Sequence, residues 1–398
     1  MHAKLLFRLV LFLLLTGAVF AQVQPGIDVL RAGGFEALRG KRVGLITNQT
    51  SRTATGELTR AVLGRAPGVQ LVALFAPEHG IDGTIGAGKK VGATRDGTTG
   101  LPVYSLYGAT RKPTPEMLRG LDALVFDLQD IGCRSYTYLS TMAKGMEAAG
   151  EAGIEFIVLD RPNPLGGQRV EGPPIEKEWI SFVGQFPVPY VHGLTAGEMA
   201  RMANDRGWLA ARCRLVVVPM KGWNRAMVWP ETGLGWMRTS PNIPNANSPF
   251  YYTATGIAGN LGNLDIGIGT GAPFQRFASP GLDAAALSRV LTAQFPGLRF
   301  GPISAEGGRS GVAIGIPPRN NANLAALNIY LMSAAVRANP RVLDKPTRDR
   351  DGIFFKIYGS RSIEPQLRNG TPPSRIVAAW DGPVARFRSE RSAYLLYP

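Results

Sequence analysis

Residues 123–130 read Ala-Leu-Val-Phe-Asp-Leu-Gln-Asp, an unbroken apolar run followed at once by two carboxylates and an amide. A run this short and this apolar suits a strand buried on both faces, which requires a parallel sheet covered by helices. The same pattern recurs on either side. Arg42 to Ile46, Val69 to Phe75, Phe156 to Leu159 and Leu215 to Val218 are further runs rich in Val, Leu, Ile and Phe. Between them, Glu57 to Leu63, Thr137 to Ala149 and Thr195 to Gly207 have the wider apolar spacing of amphipathic helices. The last is the best delimited, with Thr195 as N-cap, Glu198 completing a capping box and Gly207 as the stop. The alternation predicts an α/β protein with a Rossmann-like parallel sheet over residues 22–250.

In an open parallel sheet, ligands bind beyond the carboxyl ends of the strands. There the sequence turns polar. Asn48 follows the first run, Glu78 and His79 the second, Asp127, Gln129 and Asp130 the third, and Asp160, Arg161 and Asn163 the fourth. No strand runs into GxGxxG or GxxxxGK[ST], so the rim is not built for a dinucleotide or nucleotide phosphate, and no cofactor is expected. From Met220 to Ala254 the rhythm breaks into Trp, Pro, Asn and Gly, as in a long ordered loop between domains. Residues 251–398 read as a smaller, β-rich α+β domain, with helices at Asp283 to Gln294 and Asn323 to Ala338, a strand at Gly311 to Ile316, and a tail of short strands and turns.

Lys4 and Arg8 flank or interrupt an apolar run from Leu5 to Phe20 that ends in Val-Phe-Ala at Ala21, the pattern of a secretory signal over residues 1–21. The chain is therefore expected to be exported, periplasmic or secreted, with no stable membrane span after cleavage. Its formal charge of +15 falls to +13 without Lys4 and Arg8 and favours anionic partners. Nucleic acid is excluded as the partner, since the arginines are scattered and form no basic stripe interleaved with aromatics. Cys133 and Cys213 allow one disulfide at most.

Glycoside cleavage needs one protonated carboxyl and a second group acting as base or nucleophile. Glu78 is the preferred general acid, because it leaves a buried strand behind a proline; its bland alternative is a salt bridge to Arg134 or Arg161. Asp127 and Asp130 compete with a capping role, and Glu198 is better read as part of its capping box. A hard metal held by Asp127, Asp130 and Asp160 is the alternative hydrolytic chemistry, whereas zinc spacing is absent. His79 and His192 both stand next to glycine at an element boundary. Tyr136, Tyr138, Trp229 and Trp236 could stack on a sugar, and Asn48, Gln129, Asn163 and Asn242 could bind its hydroxyls. An arginine, Arg134 or Arg161, would suit a sugar carboxylate.

The blocks Ala76 to Gly80 (APEHG), Asp127 to Tyr138 (DLQDIGCRSYTY), Leu159 to Gly167 (LDRPNPLGG), Pro189 to Glu198 (PYVHGLTAGE), Ser240 to Pro244 (SPNIP) and Ala393 to Tyr397 (AYLLY) resemble the signature of the exo-β-N-acetylmuramidase NamZ family, glycoside hydrolase family 171. The resemblance implies removal of terminal N-acetylmuramic acid from peptidoglycan fragments, in a cleft between a Rossmann-like domain and a smaller one. It implies Glu78, His79 and Asp130 as catalytic positions, and Asp127, Gln129, Arg134, Tyr136, Asp160, Arg161, Asn163 and His192 around the substrate. One block departs. Where the family has Glu-Gly-Thr-Asn running into Ser-x-Gly-Arg-Gly-Thr, residues 259–270 lack the glutamate and arginine and offer Asp265 as the substitute carboxylate. A muropeptide-binding protein without catalysis is the reading this departure favours.

Overall fold

The computed structural model describes residues 22–90, 92, 94–349 and 351–398. The signal-peptide segment lies outside the described residues. Seven strands form the main sheet: β1 (Arg42–Ile46), β2 (Gln70–Ala76), β3 (Thr94–Arg95), β4 (Pro102–Ser105), β5 (Ala123–Phe126), β6 (Glu155–Leu159) and β7 (Arg214–Val218). Their order is β3-β4-β2-β1-β5-β6-β7. All pairings are parallel except β3 with β4. The chain winds outward from β1 in both directions, so the switch point falls between β1 and β5. All of β5 is buried, as its composition requires of a strand with helices on both faces.

The five apolar runs are all strands, to within a residue at their ends. The β3–β4 edge went unread. The helix Tyr138–Ala152 stops at Gly153, whose φ of 68° suits glycine at a helix end. Within it, Gly145 lets the helix settle onto the sheet, since a Cβ there would stand 2.6 Å from Ile46 Cδ1 and 2.9 Å from the Phe156 ring. The helix Ala196–Asp205 carries the expected box: Thr195 Oγ1 accepts from the Glu198 amide at 3.2 Å, and Glu198 Oε2 accepts from the Thr195 amide at 3.0 Å.

The second domain holds a three-stranded antiparallel sheet, order β8-β10-β9, from β8 (Arg276–Pro280), β9 (Arg299–Ala305) and β10 (Arg309–Gly315). The helices Ala284–Gln294 and Leu324–Ala338 are capped by Asp283 and Asn323. The tail corrects the expectation of short strands. It folds as helices, among them Ile353–Tyr358, Ile363–Arg368 and Asp381–Arg391, before Leu395–Pro398 returns to the first domain. There the Tyr397 hydroxyl donates to Asp160 at 2.5 Å and the Leu396 amide to Glu198 Oε1 at 2.9 Å. Cys133 and Cys213 are both free thiols.

Candidate active site

The polar rim divides into residues that hold the sheet ends together and residues left with chemistry to offer. Asp127 belongs to the first set. It has no exposed surface, binds the Arg161 guanidinium through both oxygens and accepts from Thr59 Oγ1 at 2.5 Å. Arg161 also donates from Nη2 to the Arg52 carbonyl at 2.8 Å. Asp160 is equally committed, to Thr195 Oγ1 at 2.6 Å, the Gly197 amide at 2.8 Å and Tyr397. Burial pushes its carboxyl up to about 6 against these hydrogen bonds.

Several expected sugar ligands are structural for the same reason. Asn48 is sealed, with Nδ2 donating to the Tyr138 hydroxyl at 2.8 Å and Oδ1 accepting from Thr50 twice. The Tyr136 and Tyr138 rings are buried, their hydroxyls donating to Thr239 at 2.9 and 2.6 Å, so neither presents a face to a sugar. Asn163 bridges the Leu194 carbonyl and the Leu165 amide. Arg134 holds no carboxylate: its guanidinium donates to the carbonyls of Pro173, Val188, Ile357 and Tyr358 at 2.7–3.0 Å, tying the two domains together. Burial lowers it to about 10, which leaves it cationic at neutral pH. His192 is fully buried; Nδ1 accepts from the Leu194 amide at 3.1 Å, and desolvation, with Arg391 and Arg134 nearby, holds its ring down at about 3. The ring lies in the core, with Nε2 buried and without a hydrogen-bond partner among the described residues.

Asp130 is a different case. Oδ2 accepts from the Gly132 amide at 2.7 Å, but Oδ1 is sealed without a partner among the described residues. The carboxyl borders a void of about 10 Å³, and burial raises it to about 7. It shapes the loop from β5 to the helix at Tyr138, whose Thr137 reaches the site. The three aspartates proposed for a metal point to three separate sets of partners, and among the described residues no group of three His, Cys, Asp or Glu could hold an ion.

What remains stands mainly at the end of β2. Glu78 accepts from the Gly88 amide at 2.8 Å and exchanges a hydrogen bond with Thr137 Oγ1 at 2.6 Å. Tyr107 stands beside it, and burial, with the Glu78 charge close by, pushes that phenol up to about 12. Neither Arg134 nor Arg161 pairs with Glu78, so the salt-bridge alternative falls. His79 is forced into the left-handed region at φ 72°, where a residue with a Cβ is strained. Its Nδ1 lies 2.7 Å from the Ile85 carbonyl, so it must carry the proton there, leaving Nε2 as a bare acceptor.

At the switch point itself lies a hollow of about 260 Å³, lined by Thr50, Gln129, Arg161, Trp229 and Trp236 among others. Gln129 donates to the Asp130 and Pro162 carbonyls at 2.9 and 2.8 Å and keeps Oε1 unpartnered. The Trp229 and Trp236 rings meet edge to face at 4.9 Å. Asn242 is half-buried, with an amide that binds nothing among the described residues. Tyr107 was missed because β4 was missed. Had Pro102–Ser105 been read as a strand, the same strand-end rule would have pointed to it.

Asp265, the substitute offered by the altered segment, is engaged elsewhere. It pairs with Arg276 at 2.9 Å and accepts from the Gly267 amide at 2.8 Å. Burial pushes its carboxyl up, but these partners outweigh it and hold the group below the usual carboxylate range.

Comparison with known proteins covers nearly the whole chain. Residues 43–247 match the family model described as exo-beta-N-acetylmuramidase NamZ, N-terminal, and residues 250–397 match its C-terminal counterpart. The peptidoglycan beta-N-acetylmuramidase NamZ of Bacillus subtilis (strain 168) is 39% identical over 385 residues, covering 94% of this chain and 92% of the relative. Two crystal structures of DUF1343 family proteins from Bacteroides fragilis NCTC 9343 are similar throughout. One has a TM-score of 0.87 at 43% identity and the other 0.73 at 28%, each covering 95% of this chain and 99% of the other.

Proposed function

The chain belongs to the exo-β-N-acetylmuramidase NamZ family and is a glycoside hydrolase of peptidoglycan turnover, and from that premise we propose that Glu78 and His79 carry the two protons of hydrolysis. The substrate is a peptidoglycan fragment ending in N-acetylmuramic acid. Glu78 gives a proton to the glycosidic oxygen as the bond from that oxygen to C1 breaks. A water oxygen joins C1, and its proton passes to His79 Nε2. Thr137 Oγ1 can donate to or accept from Glu78, so the carboxyl keeps its position in both protonation states. The observation that carries this reading is the strained His79 backbone, which holds an imidazole with one nitrogen pinned and the other bare, next to a carboxyl that no arginine of the rim engages. The half-buried Trp236, backed by the buried Trp229, offers the stacking surface for the glycan that follows.

Export to the envelope is part of the proposal and rests on the sequence of residues 1–21. No described helix is long and apolar enough to cross a membrane.

The leaving group provides the test. Nitrophenolate departs without a proton, whereas a sugar hydroxylate does not. Glu78→Gln should cost roughly a hundredfold or more in turnover of a disaccharide bearing N-acetylmuramic acid at its non-reducing end, and much less on 4-nitrophenyl N-acetylmuramide. Replacing His79 should slow both. Release of the sugar is read by mass spectrometry. Equal losses of Glu78→Gln on the two substrates, or parental rates on the disaccharide, would remove Glu78 as the acid.

A further inference from the structure

N-Acetylmuramic acid differs from N-acetylglucosamine by a lactyl ether that ends in a carboxylate, and an enzyme selecting it needs a cation near the bound sugar. The two rim arginines are already engaged: Arg161 is held through Nε and Nη2 by Asp127, and Arg134 is surrounded by four carbonyls. A cation for the lactyl carboxylate must therefore come from elsewhere around Glu78.

Tyr107, which stands beside Glu78, follows the end of β4. Its ring lies 5.9 Å from that of Phe182, and the Arg111 guanidinium stacks on both, 4.9 Å from the Tyr107 centroid and 4.4 Å from that of Phe182. Arg111 is exposed and forms no ion pair among the described residues. Two aromatic faces hold the guanidinium plane while its edge, with its forked N–H groups, stays free. Lys89 and Lys90 follow Gly88, whose amide binds Glu78, but both are exposed and no ring lies over either one among the described residues. A fixed cation with its fork unspent, one side chain removed from the catalytic carboxyl, has the form of a carboxylate receptor.

We propose that Arg111, positioned by Tyr107 and Phe182, binds the lactyl carboxylate of the terminal sugar and is the residue that selects N-acetylmuramic acid over N-acetylglucosamine. The proposal rests on the function given above and deepens it. Because the contact lies away from the breaking bond, it acts mainly on binding and so on KM.

The experiment compares the full chain with Arg111→Ala and Arg111→Lys. Binding of free N-acetylmuramic acid, its methyl ester and N-acetylglucosamine is measured by calorimetry, and KM and kcat are measured on 4-nitrophenyl N-acetylmuramide. The parent should bind the acid at least tenfold more tightly than the ester. In Arg111→Ala that ratio should fall to about one with the ester's affinity unchanged, and KM should rise tenfold or more with kcat within a fewfold; Arg111→Lys should recover part of the ratio. Thermal unfolding at the parental temperature excludes misfolding. An acid-to-ester ratio that persists in Arg111→Ala overturns the proposal, as does a parent that binds acid and ester alike. Because binding is read without turnover, a chain that binds the acid selectively but cleaves nothing defeats the catalytic reading and leaves this one standing.

Discussion

Replacing Asp130 by asparagine should make the protein's stability less sensitive to alkali. The carboxyl is met by the backbone amides of Gly132 and Ile131 and pairs with no cation, and its Oδ1 is sealed beside a void of about 10 Å³. Burial raises it from 3.8 to about 7. Its folded-state value lies above its unfolded one, so the native protein holds a proton that the unfolded chain releases between these limits. Stability is therefore lost as pH rises from about 4 to about 7, and the total over that window is roughly 4 kcal/mol at 1.36 kcal/mol per unit. The asparagine side chain would keep the acceptor for Gly132 but leave an amide N–H group unpaired, at a constant cost of about 1–3 kcal/mol. That constant drops out of a comparison between two pH values. From about pH 5 to about pH 8, the Asp130→Asn variant should gain roughly 3 kcal/mol on the parent. Urea denaturation followed by tryptophan fluorescence at several pH values measures this directly, provided the urea dependence has the same slope in both proteins. Two stability curves that run parallel across this range would refute the reasoning, because the carboxyl would then be hydrated or paired when ionised.

Two further perturbations separate frame from site. Arg134→Met should destabilise the fold by about 3–5 kcal/mol, since it strands four buried carbonyls that one guanidinium now satisfies; a normal melting temperature with weakened sugar binding would return Arg134 to the substrate. His192 titrates in the sense opposite to Asp130: its folded-state value of about 3 lies below that of the unfolded chain, so stability is lost as pH falls from about 6.5 toward 3. His192→Gln should flatten that acid limb in denaturation curves, and an unchanged limb would assign acid lability to other groups.

The parallel sheet was legible because strands buried on both faces can contain little besides Val, Leu, Ile and Phe. The strand β4 escaped because its residues alternate between buried and half-buried, and it opens on Pro102. The helices of the tail escaped because Ile353–Tyr358, Ile363–Arg368 and Pro373–Ala378 are each six residues long, too short to display a helical period. Thr195 and Glu198 were read correctly because a capping box is local. The roles of Asp127 and Asp160 were not readable, because their partners lie 34 and 237 positions away.

Those long-range partners explain why the strand-end rule offered more candidate site residues than the rim leaves free. The carboxyl end of a parallel sheet is where loops from distant segments meet, and buried backbone and side-chain polar groups there must be satisfied before any ligand arrives. Asp127, Asp160, Asn48 and Arg134 meet that demand, so their polarity records assembly of the rim. Residues available for chemistry differ in a recognisable way. His79 is held by a strained backbone that leaves Nε2 bare, and Arg111 is held by stacking that leaves its fork bare. In both, the restraint comes through atoms that the substrate does not need. The same criterion disposes of Asp265, whose oxygens are taken up by Arg276 and Gly267. With no free carboxylate from the altered segment, the proposed proton traffic of hydrolysis rests on the end of β2, on Glu78 and His79.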